Sequence, residues 1–139
     1  VVKLLLDKGA SVDGKDKDGR TALALASRMG RTEVMKLLLD KGASFDEKDG
    51  YGMTALMWAS EEGHTEVVKL LLDKGAPVDA KDKDGRTALM LAIKAGHTEV
   101  VQLLLDKGAS VGVKTMHDST ALLLAGEYGH TEVVKLLLE

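Results

Sequence analysis

Histidines are the residues of this 139-residue chain that could most readily ligate a metal ion or transfer a proton. Three of the four, His64, His97 and His130, recur every 33 residues, and His117 stands outside that series. If each lies on its own structural unit, neighbouring imidazoles are about 8–10 Å apart, the usual distance between packed helices. A metal ion needs ligand atoms at about 2 Å. The spacing therefore predicts structural histidines that open helices.

Other candidate motifs for chemistry are incomplete. The D-K-D-G stretches at Asp16 and Asp82 share the acidic spacing of a calcium loop, but the further acidic positions and the bidentate glutamate are missing. They are predicted to be turns. No nucleophile, base and orienting residue occur together, and no glycine-rich phosphate loop is present. The sequence predicts no catalytic residues, no cofactor site and no metal site.

A fixed repeat organises the elements that would position these residues. The string LLLDKGA begins at Leu4, Leu37, Leu70 and Leu103, and the start of another copy follows at Leu136. Self-similarity at a constant period of 33 residues is typical of one supersecondary unit stacked on copies of itself. The chain is therefore expected to present an extended surface.

Each unit has start and stop signals for two helices. In one unit, Thr54 is the predicted N-cap of a helix over Ala55–Glu62, which ends at Gly63. A second, broadly apolar helix is predicted over Thr65–Asp73. Residues 76–86 follow as an extended finger that contains a D-G turn pair. The same prediction applies to the units that begin at Thr21, Thr87 and Thr120.

These patterns resemble the ankyrin repeat, whose motifs are G-x-T-P-L-H, A-A-x-x-G-H and V-V-x-L-L-L-x-x-G-A. The matching residues of one unit are Gly52, Thr54, Leu56, Ala59, Gly63, His64, Val67, Val68, Leu70, Leu71, Leu72, Gly75 and Ala76. The resemblance implies an all-α solenoid of stacked helix-turn-helix units with extended β-hairpin-like fingers. Two positions depart from the family pattern. Alanine replaces its proline, and its histidine is replaced by apolar residues, at Ala24, Met57, Met90 and Leu123.

The period predicts a single domain over residues 1–139. It comprises a partial repeat (1–20), full repeats at 21–53, 54–86 and 87–119, and a truncated final helix pair (120–139). Because both termini align with second helices, we expect the interior of a longer array. Its apolar ends are expected to associate head to tail, through Val1, Leu4 and Leu5 at one end and Val133, Leu136 and Leu137 at the other.

Composition narrows the class of partner. A net charge of −3 argues against nucleic acid, which requires a basic excess. No apolar run approaches the roughly 18 residues of a membrane span, so no membrane is expected. The absence of cysteine fits a cytoplasmic, intracellular protein. The resemblance to ankyrin repeats implies a protein partner.

Positions that differ between repeats are the candidates for binding. The resemblance implies contact along the fingers and first helices, the concave side of such arrays. The predicted partner-binding residues are Arg20, Arg28, Met29, Tyr51, Met53, Trp58, Glu61, Glu62, Arg86, Lys94, Met116, His117 and Tyr128. Aromatic residues and methionines are frequent anchors of interfaces, and the charges alternate in sign along the array. Trp58 has a second interpretation as a packing residue. Leucine occupies its position in the other units, and on this interpretation its side chain fills the same semi-buried site.

Two alternatives remain open from the sequence. The irregular fourth finger, residues 112–118, reflects either drift or a shape adapted to one partner. The chain as a whole is either a non-catalytic protein-binding module or a structural spacer. The near-identity of its repeats also fits an engineered, consensus-like scaffold without a partner in this segment.

Overall fold

The computed structural model describes all residues, 1–139, and consists of nine helices without a strand. The helices are α1 (Val2–Asp7), α2 (Ala22–Met29), α3 (Thr32–Asp40), α4 (Ala55–Glu62), α5 (Thr65–Asp73), α6 (Ala88–Ala95), α7 (Thr98–Asp106), α8 (Ala121–Glu127) and α9 (Thr131–Leu138). After α1 they form pairs of a first and a second helix. None is long and apolar enough to cross a bilayer.

Side-chain caps determine where the first helices begin. Thr21, Thr54, Thr87 and Thr120 each accept a hydrogen bond from the backbone N–H three residues later, at 3.2–3.4 Å. Left-handed glycines, exemplified by Gly63 with φ 76°, end the first three of these helices. The predicted bounds Ala55–Glu62 and Thr65–Asp73 are confirmed.

The core runs continuously through the stacked units. First helices pack on first helices (α2, α4, α6, α8), and second helices pack on second helices (α3, α5, α7, α9). Burial is deepest in the middle of the array, where every residue of α6 from Ala88 to Ile93 is buried. The positions that carry the family's histidine are filled there by Met57 and Met90, which are both buried. Apolar packing therefore occupies that site.

The fingers are turns without strands, so their expected β-hairpin form is not confirmed. In the first finger, Asp16 Oδ1 accepts from the backbone N–H groups of Asp18 and Arg20, and its own N–H donates to the Arg20 carbonyl. Because these donors are used within the turn, no strand ladder forms. Adjacent fingers share one backbone bond each, from Gly50 N to Asp18 O at 2.8 Å in the first pair. The equivalent bonds join Lys83 to Tyr51 and Met116 to Asp84.

The apolar surface at the two ends differs in part from the prediction. Val1, Leu4 and Leu5 are exposed on α1 as expected. Val133, however, is wholly buried against the preceding unit, and Leu136 and Leu137 are half-buried. The exposed apolar residues at the far end are Leu122, Leu123 and Leu138.

Candidate partner-binding face

The face formed by the finger tips and the helices α2, α4, α6 and α8 is here called the finger face, and two of its cavities contain predicted residues of the first helices. The first, the tryptophan cavity, has a volume of about 290 Å³. It brings together seven of the predicted residues: Arg20, Arg28, Tyr51, Met53, Trp58, Glu61 and Arg86. The second, the tyrosine cavity, has about 240 Å³ and collects Arg86, Lys94, His117 and Tyr128.

Trp58 lies between its two predicted roles. Its ring is half-buried at the position that leucine takes in the other units. Its indole N–H donates to Asp49 Oδ2 at 2.8 Å, and the Arg28 guanidinium lies over the ring, 4.8 Å from its centre. Trp58 therefore stabilises the second finger through its hydrogen bond to Asp49, and the face of its ring makes a cation–π contact with Arg28.

The side chain four positions after each finger aspartate differs between the fingers. This difference explains why Asp49 is the finger aspartate that accepts a hydrogen bond from an indole. In the first and third fingers, Arg20 and Arg86 donate from Nε to Asp16 and Asp82, each at 2.8 Å. In the second finger, Met53 occupies the arginine position and is only 2% exposed. Met53 is thus part of the packed floor of the tryptophan cavity, and its role as an apolar anchor for a partner stays a prediction.

The tyrosine cavity results from the irregular fourth finger. Thr115 and Ser119 stand where other units carry the aspartate and the arginine or methionine. The Thr115 hydroxyl forms the turn in place of the carboxylate, accepting from the N–H groups of His117 and Ser119 at 3.2 Å. Because Ser119 is short, no side chain extends over the first helix, and a cavity opens above Leu124 and Tyr128.

The other predicted residues lie near these cavities without lining them. Met29, Glu62 and Met116 are exposed at the rim. Tyr51 is 68% exposed and Tyr128 is 42% exposed, so both rings remain accessible. The structure therefore gathers ten of the thirteen predicted residues in two neighbouring cavities.

Charge pairing divides the cations that line the two cavities into two groups. Arg20 pairs with Asp16 and Asp18, and Arg86 pairs with Asp82 and Asp84. The backbone N–H of Arg20 contributes most to lowering the pKa of Asp16, and the guanidinium lowers it further against partial desolvation. The same ion pair raises the pKa of Arg20.

Arg28 and Lys94 belong to the second group. Neither has a carboxylate within 4.0 Å, and each lies over an aromatic ring of the next unit. For Lys94 this ring is Tyr128, whose centre is 6.0 Å from the ammonium nitrogen. These two cations remain free to pair with groups outside the chain.

The recurring histidines connect adjacent units, in agreement with the structural role predicted for them. Nε2 of His64, His97 and His130 lies 2.8, 3.0 and 3.4 Å from the carbonyl oxygens of Arg28, Glu61 and Lys94. Because a carbonyl can only accept, each Nε2 carries the proton. No group of three or more histidine, aspartate or glutamate side chains is arranged to hold a metal ion.

The family model for ankyrin repeats (three copies) matches the chain over residues 1–82, 42–115 and 75–139. The overlapping matches span all 139 residues. The chain belongs to the ankyrin-repeat family. A comparison with curated proteins found no match.

Ankyrin repeats are generally non-catalytic protein–protein interaction modules, and this array shares their helical repeat architecture. Sequence reasoning had not identified one member of the site, Asp49. The repeat register contained the signal for Asp49. Equivalent positions carry Arg20, Met53, Arg86 and Ser119, so the second finger lacks the arginine of the first and third. A finger aspartate without its arginine needs another donor, and the aromatic residue nine positions later provides it.

Proposed function

We propose that this ankyrin array is a non-catalytic module that binds a protein partner along its finger face, within a single domain over residues 1–139. One observation carries the proposal. Arg28 and Lys94 each lie over an aromatic ring beside an open cavity, and neither has an ionic partner in the chain. Accessible cations held over aromatic rings are efficient binding groups, since arginine and aromatic residues are enriched in interface hot spots.

Exposed aromatic residues on the same face support this function. Tyr51 stands at the tip of the second finger, and Tyr128 at the end of α8. Neither hydroxyl makes a hydrogen bond within the chain. Tyrosine side chains of this kind provide apolar area and a polar group to an interface at low entropic cost.

The experiment is an affinity capture from lysate of the source cells with three forms of the chain. They are the native chain, a Tyr51→Ser, Tyr128→Ser variant, and a Lys69→Ser, Gln102→Ser control on the second helices. Circular dichroism establishes that all three are folded. A protein captured by the native and control forms but lost from the tyrosine variant supports the proposal. Equal capture by all three forms contradicts it.

A spacer or engineered scaffold is the alternative function, and the same experiment separates the two. A spacer would show empty, identical eluates for all three forms. The regular units favour this alternative, whereas the irregular fourth finger and its cavity favour a binding module. The intracellular setting stays a prediction.

Head-to-tail self-association is a further proposal, now with corrected residues. We infer that Leu4 and Leu5 on α1 meet Leu122 and Leu123 on α8 of a second copy, since these apolar side chains are exposed at the two ends of the array. Sedimentation should then show association that rises with concentration and is abolished by Leu123→Glu. A strict monomer at high concentration contradicts this proposal.

A further inference from the structure

The geometry points to the chemistry of the partner: an extended polypeptide segment with two acidic side chains, one in the tryptophan cavity and one in the tyrosine cavity. This inference rests on the proposed function and specifies what the finger face recognises. It follows from the unpaired cation in each cavity, from the adjacency of the two cavities and from the distance between these cations.

Each cavity contains one cation without an ionic partner in the chain, although the whole chain has a net charge of −3. In the tryptophan cavity, Arg20 and Arg86 are paired with finger aspartates, and Arg28 is the unpaired cation. In the tyrosine cavity, Arg86 is again paired and Lys94 is the unpaired cation. A carboxylate that enters either cavity therefore meets an unpaired cation, which favours acidic side chains over basic ones.

Arg86 lines both cavities, so they adjoin at the third finger. A polypeptide segment that leaves one cavity therefore lies beside the other. This adjacency favours an internal stretch of a partner chain over a free carboxyl terminus, which would fill a single cavity. An extended backbone is the form of polypeptide that can follow such a course across successive fingers.

The distance between the free cations determines the spacing of the acidic residues. Arg28 and Lys94 occupy equivalent positions two units apart. With neighbouring helices about 8–10 Å apart, the two cations are separated by roughly 16–20 Å. An extended chain covers about 3.3 Å per residue, so the two acidic residues should be about five or six positions apart.

The tyrosine cavity offers polar groups that the chain itself does not use. Lys94 has no carboxylate partner, and neither the Ser119 hydroxyl nor the His117 ring makes a hydrogen bond within the chain. The floor beneath them is apolar and includes Met90 and Leu91. A glutamate fits this arrangement, because its methylenes would cover the floor while its carboxylate reaches Lys94.

The test uses a displayed library of random twelve-residue peptides, selected against the intact chain. We expect enrichment of peptides with two acidic residues five or six positions apart. The best peptide is then synthesised with an amidated C-terminus and titrated calorimetrically. Its affinity should fall about ten-fold in each of the Arg28→Ala and Lys94→Ala variants, the loss of one charge-assisted hydrogen bond. Lys69→Ala, on the opposite helix layer, should leave the affinity unchanged.

The outcomes of the selection test the acidic preference separately from peptide binding at the finger face. An acidic consensus that is sensitive to Arg28 and Lys94 supports the inference, and Lys94→Glu should then select a basic residue at one of the two positions. Peptides that bind the finger face with a basic or purely apolar consensus overturn the inference and leave the proposed function intact. If no selected peptide loses affinity on substitution at Tyr51, Tyr128, Arg28 or Lys94, the proposed function fails as well.

Discussion

The indole nitrogen of Trp58 lies 2.8 Å from Oδ2 of Asp49 and donates a hydrogen bond to it. Oδ1 of the same carboxylate accepts from the backbone N–H groups of Tyr51 and Met53. Asp49 is buried, and no cation pairs with it, unlike Asp82, which pairs with Arg86. The second finger is therefore held by an aromatic donor in place of an ion pair.

Loss of that donor should destabilise the array. We expect Trp58→Leu to lower the free energy of unfolding by about 2 kcal/mol, since one oxygen of a buried carboxylate loses its partner. Met53→Arg in the Trp58→Leu background should recover about 1 kcal/mol, because it recreates the pairing of the first and third fingers. Urea denaturation of the four forms measures the coupling. Equal effects of Met53→Arg in both backgrounds would show that the two sites are independent.

Ser60 is buried, and its hydroxyl has no hydrogen-bond partner. Ser27, its equivalent in the first unit, lies 3.2 Å from the sulfur of Met35, whereas valine takes the methionine position next to Ser60. We expect Ser60→Ala to stabilise the chain by about 1 kcal/mol, because an unsatisfied polar group is removed. Ser27→Ala is the matched control and should give less. Thermal denaturation that ranks the two substitutions the other way would contradict the assignment.

Two left-handed glycines differ in what surrounds them. Gly63 has φ 76°, and a Cβ there would be 2.6 Å from the His97 ring; Gly75 has φ 90° and open space around it. Both alanine variants should lose about 1 kcal/mol from backbone strain. Gly63→Ala should lose about 1 kcal/mol more, since His97 must leave the Glu61 carbonyl. Similar losses for the two variants in chemical denaturation would refute this role of His97.

The Asp16 carboxyl should titrate below its ordinary pKa of 3.8 in the folded chain. A lowered folded-state pKa means that ionised Asp16 adds stability above pH 3.8, and that this contribution is lost as the pH falls through the lowered value. Carboxyl chemical shifts in a pH titration measure it directly. Arg20→Leu should raise the pKa part of the way back, because the backbone donors remain. Lys17→Leu, which removes a cation that makes no bond to Asp16, should leave the midpoint in place.

Much of the fold could be predicted from the sequence because local signals repeat. Thr54 and Gly63 define the ends of α4 by hydrogen bonds and backbone conformation that involve only neighbouring residues. The β-hairpin form predicted for the fingers is not confirmed: the Asp16 side chain accepts from the N–H groups of Asp18 and Arg20 within a turn. Those side-chain hydrogen bonds become evident only when the geometry of the turn is known.

The candidate binding site, like the fold, could be predicted from the sequence only in part. The repeat register indicated the variable positions on the fingers and first helices, and ten of the residues chosen there line the cavities. It did not show that Met53 is buried, that Val133 packs inside the array, or that Asp49 accepts from Trp58. These facts depend on contacts between separate turns and helices.

The sequence by itself determined the period, the helices, their caps and the family, because each follows from interactions within about ten residues or from exact repetition. Only the tertiary structure decided which cations remain unpaired and where the finger face opens into cavities. Arg28 and Trp58 come from different units, as do Lys94 and Tyr128. Stacking brings them together because each unit buries its apolar side against the next, and this packing fixes the relative position of their polar side chains.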